Sequence, residues 1–427
     1  MSMIIFHWKC WNLGDSLLAG IFFWVMITGN VYSYEESDII DVTSGKYGRI
    51  QLSLKIDRGK SFNRKDLDET EALFKKYLMW SGFFDLVEGK GETDLTLMVY
   101  LKDPKSIEAI VVNAQTEPVY QSEVVIENQA IQEASLRLIE EILFFLTREK
   151  SFFKSRILYV EKNHDGRYRI VLTDCFGGKR KTVLDDGGVN ILPRWRPDGK
   201  AFVYTNLTSK GSRLIEWDMV DSKSRIWAQG EGTLSGGTWS GDAQRMIVTL
   251  SKRGNSDLYW MNREGRLMER VTYRSSIESN PSLSPDGKRV LFVSNRSGSA
   301  QIYQKNLEED TTFRMTFTGN YNVDPKWSPN GDRIVFSGII EKHYQVFVMD
   351  KDGIWAQQLT DEEYSSEQPN WSPDGKQIIY TVSDNYEQKL YIMRQDGSYK
   401  RRLTNQPDGV NEFNPSWIGG SDETWNY

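Results

Sequence analysis

The residues that could perform chemistry are few, and they lack the neighbours that catalysis needs. The best approximation to a hydrolase nucleophile motif is residues 237–241, Gly-Thr-Trp-Ser-Gly, where the serine stands one place later than in Gly-x-Ser-x-Gly. His7 lies near the N-terminus, His164 precedes an Asp-Gly pair, and His343 lies between two predicted strands. None of these histidines has a sequence neighbour suited to nucleophilic or metal chemistry. The sequence therefore predicts no catalytic residue, no metal site and no cofactor.

Aspartate recurs beside glycine, a pairing that could indicate calcium binding. Asp198, Asp286 and Asp374 each precede a glycine. A calcium loop would instead alternate its oxygen ligands in an Asp-x-Asp-x-Asp-Gly pattern, which the sequence lacks. Asp or Asn before Gly is typical of a tight hairpin turn, because Gly accepts a positive φ. We interpret these aspartates as turn residues.

The turns belong to a repeat that fills the second half of the chain. Its best copy is residues 369–380, with the sequence PNWSPDGKQIIY. The anchor positions follow one another at spacings of 44, 44, 44, 44 and 46 residues, and they are Trp195, Trp239, Leu283, Trp327, Trp371 and Trp417. Each unit holds four short strand-like runs. A repeat of this length with four strands is typical of the blade of a β-propeller.

The two ends of the repeat region complement each other. Residues 156–160 and 169–172 read as a second and a third strand without an innermost one, whereas residues 415–417 read as an innermost strand with nothing after it. Joining them completes one blade and leaves no exposed sheet edge. The predicted fold is mainly β, a six-bladed β-propeller over residues 156–418, with the C-terminal strand closing the ring.

A separate α/β domain without the repeat is predicted at residues 50–150. Alternating or periodic apolar residues predict a strand, a helix, a strand, a hairpin and a second helix. Their predicted ranges are 50–56, 65–80, 94–101, 108–114 with 118–126, and 128–147.

The N-terminal 33 residues are predicted to be a secretory signal peptide. Their apolar run, residues 17–27, is too short to span a bilayer comfortably. An uncleaved anchor is the rival interpretation. Residues 34–49 are polar and predicted to be flexible, and residues 419–427 form a predicted tail. Cleavage would remove Cys10 and leave Cys175 alone, so we expect no intrachain disulfide and a buried, structural role for Cys175.

Charge and loop composition indicate the kind of partner. The net charge of −6 argues against a nucleic-acid-binding protein. The loops that lead into the innermost strands ring one mouth of the propeller channel, and they differ from blade to blade. The opposite face carries near-identical Pro-Asp-Gly turns. Because variable loops on a rigid repeat scaffold usually carry binding specificity, we expect a partner at the variable mouth.

The chain resembles the TolB family, the periplasmic propellers of the Tol–Pal envelope system. A signal peptide, a small α/β domain and a six-bladed propeller follow one another in the family's order. Residues 146–160, at the junction of the two domains, are similar to the family's Leu-Thr-Gly…Gly-x-Phe…Arg-Ile-Ala-Tyr-Val, and residues 80–84 are similar to its Ser-Gly-x-Phe. Arg148 and Ser151 depart from this pattern, because the family usually has glycine there.

The resemblance implies a periplasmic, non-enzymatic, monomeric scaffold with no membrane span after signal cleavage. It would support outer-membrane integrity and cell division. A Pal-like lipoprotein would bind the propeller mouth, for which the candidate positions are Thr233, Gly236, Ser279, Asn322, Asp324 and Glu367. A TolA-like protein anchored in the inner membrane would bind the N-terminal segment, for which the candidates are Tyr34, Glu35, Glu36, Asp38 and Asp41. The alternative is a secreted propeller enzyme or carbohydrate-binding protein with a site in the channel.

Overall fold

The computed structural model of the chain describes residues 49–59, 62–88, 93–102, 106–127, 130–148, 151–384 and 387–420. The predicted signal peptide, the N-terminal segment up to residue 48 and residues 421–427 of the predicted tail lie outside the described residues. The five candidates for binding a TolA-like protein, Tyr34, Glu35, Glu36, Asp38 and Asp41, lie outside them as well.

The first part of the described chain is an α/β layer. Its elements are β1 (Ile50–Arg58), α1 (Arg64–Ser81), β2 (Phe84–Leu86), β3 (Leu95–Leu101), β4 (Ser106–Asn113), β5 (Pro118–Val125) and α2 (Ile131–Thr147). The strands form one sheet in the order β2-β1-β3-β4-β5, with β1 parallel to both of its neighbours. The elements agree with the sequence prediction, except that the short β2 was not predicted.

Local chemistry sets the limits of the two helices. Asn63 caps α1 by accepting the Asp66 N–H, while the Asp66 carboxylate accepts the Asn63 N–H. Gly82 ends α1 with φ +83°, a left-handed conformation that suits glycine. Arg148 takes the same role after α2 with φ +57°. This left-handed backbone gives a physical reason why a glycine would be favoured at position 148.

Six four-stranded antiparallel sheets make up the rest of the described chain. Blade 1 contains β9 (Val189–Trp195), β10 (Ala201–Thr208), β11 (Gly211–Asp218) and β12 (Lys223–Gln229). Blade 2 contains β13 (Thr233–Trp239), β14 (Arg245–Lys252), β15 (Asn255–Asn262) and β16 (Leu267–Arg270). Blade 3 contains β17 (Glu278–Leu283), β18 (Arg289–Ser294), β19 (Gln301–Asn306) and β20 (Thr312–Arg314). Blades 4 and 5 contain β21 (Asn322–Trp327), β22 (Arg333–Ile340), β23 (His343–Asp350) and β24 (Ala356–Gln358); and β25 (Ser365–Trp371), β26 (Gln377–Ser383), β27 (Gln388–Arg394) and β28 (Arg401–Arg402).

Blade 6 joins the two ends of the propeller. The C-terminal β29 (Asn411–Ile418) pairs with β6 (Arg156–Lys162), which is followed by β7 (Tyr168–Asp174) and β8 (Arg180–Leu184). The predicted closure of the ring is therefore confirmed. Closure by the chain's last strand removes the free edge that an open array would leave.

The repeated aromatic residues contribute to the packing between blades. Trp371 is 3% exposed and Trp195 is 7% exposed. In one cluster, Ile247 and Trp260 of blade 2 pack against Phe292 of blade 3. Burial of such large side chains at each blade interface is the main stabilising contribution of the repeat.

Each innermost strand contains a β-bulge at the same place in the repeat. In β21, for example, the pairing with β22 shifts between Val323 and Lys326. The first bulge residue has a left-handed φ of 53–55° in five strands, at Leu192, Asn280, Asp324, Gln368 and Asn414, and Gly236 occupies the position in β13. A bulge inserts one residue and bends the strand, so it changes where the following side chains point.

The α/β layer packs on the face of blades 5 and 6 that carries the Pro-Asp-Gly turns. The Arg401 guanidinium lies 3.4 Å from the centroid of the Trp80 ring, and Trp80 stacks on Phe176 at 4.9 Å. The Trp417 indole donates to Ser155 Oγ at 2.7 Å. The interface therefore includes residues from both segments on which the family resemblance rests. No helix in the described ranges combines the length and the apolar composition needed to cross a bilayer.

Candidate functional site

The mouth opposite the α/β layer carries a set of exposed apolar and aromatic side chains. They belong to the loops that lead into the innermost strands of blades 3 to 5, and they are Tyr273 (66% exposed), Ile277 (55%), Phe317 (74%), Tyr321 (40%) and Tyr364 (44%). We call this set the mouth belt. Exposed apolar residues grouped on one side of a rigid rim are typical of a protein-binding surface, in which tyrosines often contribute most of the affinity.

Two tyrosines and two carboxylates meet where blades 4 and 5 adjoin the mouth. The rings of Tyr321 and Tyr344 contact edge to face, with centroids 6.2 Å apart. Burial, then the charges of neighbours that include Glu367 and Asp324, raise the pKa of Tyr344 to about 12. Burial is also the main cause that raises the pKa of Glu367, and the charge of Asp324 adds to it. These four residues therefore form one electrostatically coupled group.

The six candidate mouth positions have different surroundings. Thr233 is exposed at the start of β13, and Ser279 is half-buried in β17. The Gly236 N–H is occupied by Thr205 Oγ1 at 3.1 Å. Asn322 is 3% exposed, and its amide donates to Gln301 Oε1 of blade 3 and to the Thr318 carbonyl in the loop between blades 3 and 4.

Of these candidates, the structure brings together Asp324 and Glu367, since the charge of Asp324 helps to raise the pKa of Glu367. Glu367 accepts from Ser383 Oγ at 3.0 Å, and the Asp324 carboxylate accepts from the Asn280 amide. Both acids remain half-buried rather than sealed. They are the two candidates whose charge can act on a ligand at the mouth.

Sequence reasoning missed two cations deeper in the channel, a region that we call the throat. Arg194 and Lys326 each stand directly before the anchor tryptophan of an innermost strand. Burial and, to a smaller extent, the charge of Arg194 lower the pKa of Lys326 to about 7, although the charge of Asp324 acts in the opposite direction. Burial also lowers the pKa of Arg194 and raises that of Asp324. The available signal was the repeat itself, because four other blades carry a short neutral residue at this position.

We expect the replacement Lys326→Asn to stabilise the protein against denaturant below pH 7. The folded state must keep an ammonium group in a poorly solvated place, and Asn370 shows that the fold accepts asparagine at the equivalent position. Because Lys326 is only half-buried, we expect a gain of about 1–2 kcal/mol in the free energy of unfolding. A lysine whose pKa is lower in the folded state than in the unfolded state destabilises the folded state, and this effect is complete below the folded-state pKa. The gain should therefore be complete below about pH 7 and should fade as the pH rises toward 10.5, the ordinary value.

Urea unfolding at about pH 6 and about pH 10 measures this difference. Lys342→Asn, which removes the same charge from an exposed turn on the same face, is the matched control and should change little at either pH. An equal gain at both pH values, or a gain in the control, would contradict the explanation.

The other chemically capable residues take structural positions. His164 contacts the Asp408 carbonyl at 3.2 Å on an exposed turn, and His343 begins β23. Cys175 is fully buried in the cluster shared by the α/β layer and blade 6, and its thiol donates to the Phe153 carbonyl at 3.3 Å. The predicted structural role of Cys175 is confirmed. The arrangement at the mouth is suited to binding a partner, since it offers apolar rings beside partly desolvated charges.

Curated relatives are similar in sequence to about a third of the chain. A Tol-Pal system protein TolB from Anaeromyxobacter dehalogenans is 32% identical over 146 residues, which is 34% of this chain and 33% of the relative. A Tol-Pal system protein TolB from Ruthia magnifica is 27% identical over 158 residues, 36% of this chain and 37% of the relative. The chain thus spans about a third of the length of the curated relatives it matches.

Comparison of folds extends the likeness over more of the chain. The crystal structure of TolB from Acinetobacter baumannii superposes with a TM-score of 0.73 at 22% identity, and the match covers 87% of this chain and 97% of that one. At this identity the likeness concerns the fold. A family model described as the TolB beta propeller domain matches residues 145–419, which is more than half of the 427 residues. The chain therefore belongs to the TolB β-propeller domain family.

Proposed function

We propose that this protein is a non-enzymatic scaffold of a Tol–Pal envelope system in the periplasm. Its propeller mouth would bind a Pal-like, peptidoglycan-associated lipoprotein, and its N-terminal segment, residues 34–41, would bind a TolA-like protein anchored in the inner membrane. Through these two contacts it would help to maintain outer-membrane integrity and support cell division. The family membership and the names of the relatives support this role.

The observation that carries the proposal is the mouth itself. The α/β layer occupies the turn face of blades 5 and 6, whereas the mouth belt lies on the other face and remains exposed. Phe317 is 74% exposed, and it lies in the same loop as the exposed Tyr321, so the two rings present apolar surface together. The acids Asp324 and Glu367 lie beside Tyr321 and Tyr344. Apolar rings next to desolvated polar groups offer both affinity and orientation to a protein partner.

Calorimetric titration with the soluble domain of the organism's Pal-like lipoprotein tests the proposal. We expect binding by the unchanged protein and a loss of at least tenfold in affinity for Asp324→Lys combined with Glu367→Lys, because two carboxylates become two cations beside the belt. The neutral pair Asp324→Asn with Glu367→Gln should lose less. Asparagine at 324 is compatible with the bulge, since Asn280 occupies the equivalent place.

The matched control reverses two exposed acids on the turn face, Glu309→Lys with Asp352→Lys. Its affinity should equal that of the unchanged protein. If the unchanged protein does not bind the lipoprotein domain, the proposed function is wrong, and peptidoglycan fragments and glycans become the ligands to screen against the channel. If the control loses as much as the mouth variant, the mouth is not the binding surface.

A further inference from the structure

The two throat cations face each other across the channel. Arg194 belongs to the innermost strand of blade 1 and Lys326 to that of blade 4, and each pairs with a valine, Val203 or Val335, directly after the bulge. In a closed ring of six blades, blades 1 and 4 stand on opposite sides. Two positive charges therefore approach one ligand position from opposite walls.

The equivalent residues of other blades are used differently. Thr238 Oγ1 accepts the Leu283 N–H at 3.2 Å, Ser282 Oγ accepts the Trp327 N–H at 3.1 Å, and Ser416 Oγ accepts the Trp195 N–H at 3.3 Å. At these positions a short hydroxyl binds the backbone of the next blade and strengthens the ring. Arg194 and Lys326 are too long for that role, so their charged ends are left for another partner.

Among the described residues, no carboxylate oxygen lies within 4.0 Å, the distance limit for an ion pair, of the Arg194 guanidinium or the Lys326 ammonium group. Arg194 donates to the carbonyl of Pro193 at 2.9 Å, a neutral partner. The Lys326 ammonium group donates no hydrogen bond to a described residue, and its nitrogen is not among the polar atoms sealed from solvent. Lys326 is half-buried, so its side chain keeps only a limited contact with solvent.

One acid is near enough to act on both cations, but it is already engaged. Asp324 attracts Arg194 and Lys326 electrostatically, while its carboxylate accepts a hydrogen bond from Asn280. Below about pH 7, where Lys326 carries its proton, the charges of Arg194, Lys326 and Asp324 sum to +1 in a poorly solvated space. Such an excess costs folding free energy and is typical of a binding site for an anion.

We propose that the throat binds a carboxylate, which is held between the Arg194 guanidinium and the Lys326 ammonium group. The guanidinium can take both carboxylate oxygens, and the ammonium can donate from the opposite wall. The carboxylate is either the C-terminus of a partner or an acidic side chain in it. The inference rests on the proposed function for the identity of that partner, but its chemistry can be tested without the partner.

Three short peptides serve as probes of the full protein. Acetyl-Gly-Gly-Gly with a free C-terminus presents a terminal carboxylate, acetyl-Gly-Glu-Gly amide presents a side-chain carboxylate, and acetyl-Gly-Gln-Gly amide presents neither. The ¹³C signal of the lysine ε-carbons is followed over the range from about pH 5 to about pH 9 with each peptide. The signal that disappears in Lys326→Asn identifies this residue.

We expect at least one carboxylate peptide to raise the pKa of Lys326 by about one unit, which corresponds to tenfold tighter binding to the ammonium form than to the amine. Binding should therefore weaken as the pH rises through about 7, the pKa of the free protein. Arg194→Asn should abolish the shift, and Arg194→Gln repeats the test if that variant does not fold. Lys342→Asn should leave the shift unchanged.

The two carboxylate peptides distinguish the sources. A response to the free C-terminus alone assigns a terminal carboxylate, and a response to the glutamate peptide alone assigns a side chain. An equal response to the neutral peptide, no response to any peptide, or a full response in Arg194→Asn overturns the inference. A negative result here together with calorimetric binding of the lipoprotein domain would reject the throat site and leave the proposed function intact.

Discussion

Replacing Phe317 and Tyr321 by alanine together is expected to weaken binding of the Pal-like lipoprotein domain about 100-fold, because a few aromatic residues usually carry most of an interface's affinity. Phe317 is 74% exposed and Tyr321 40% exposed, so their removal leaves no cavity in a blade. The lost contact area should appear chiefly as faster dissociation. Calorimetry gives the change in Kd, and a thermal melt verifies that the fold is unaffected.

The matched control for this pair is Trp355→Ala. Trp355 is 49% exposed, but it lies in the turn between β23 and β24, on the face opposite the mouth belt. The Trp355→Ala variant should bind the lipoprotein domain as tightly as the unchanged protein. A double variant with unaltered Kd would show that the mouth belt is not the docking surface. A comparable loss in the control would show that the partner does not distinguish the two faces.

The largest effect on stability is expected from Gly265→Ala, which should cost more than about 3 kcal/mol, the range associated with forced clashes and backbone strain. Gly265 lies in the turn between β15 and β16 with φ +78°. A Cβ there would stand 1.7 Å from the carbonyl oxygen of Trp227 in the neighbouring blade. The turn is also held to that blade by the Trp227 indole, which donates to the Arg263 carbonyl at 2.9 Å. The alanine must therefore separate two blades or distort the turn.

Gly287→Ala separates the two causes of this loss. Gly287 has nearly the same φ, +73°, but a Cβ there would have no atom within 4 Å. Its replacement should cost only about 1–2 kcal/mol, the strain of a left-handed alanine. Urea unfolding of both variants measures the difference. If the two alanines cost the same, the contact with Trp227 contributes nothing and backbone strain alone explains both values.

Much of the fold could be predicted from the sequence because its determinants are local and repeated. The Asp-Gly and Asn-Gly pairs define hairpin turns, and the spacing of 44 residues between anchors such as Trp327 and Trp371 defines the unit. The strand that lacks a partner at each end of the repeat determined the closure through β29 and β6. The burial of the anchor tryptophans also follows from the pattern, since each blade must cover its neighbour.

The candidate site depended on contacts that the sequence could not supply. Asn322 and Asp324 are two residues apart and would share one side of a regular strand, yet the buried Asn322 amide is bound to Gln301 of blade 3 while Asp324 acts on the throat cations. The bulge at Asp324 causes this difference, because one inserted residue breaks the alternation. The opposition of Arg194 and Lys326 arises only when the ring closes.

The sequence by itself thus determined the repeat, the number of blades and the closing strand, because turn preference and hydrophobic period act within a few residues. The tertiary structure decided which mouth is free, since the packing of Trp80 against Phe176 and Arg401 joins distant parts of the chain. The tertiary structure also determined which charged side chains are desolvated. Desolvation depends on everything that surrounds a group, as at Lys326, and no short stretch of sequence contains that information.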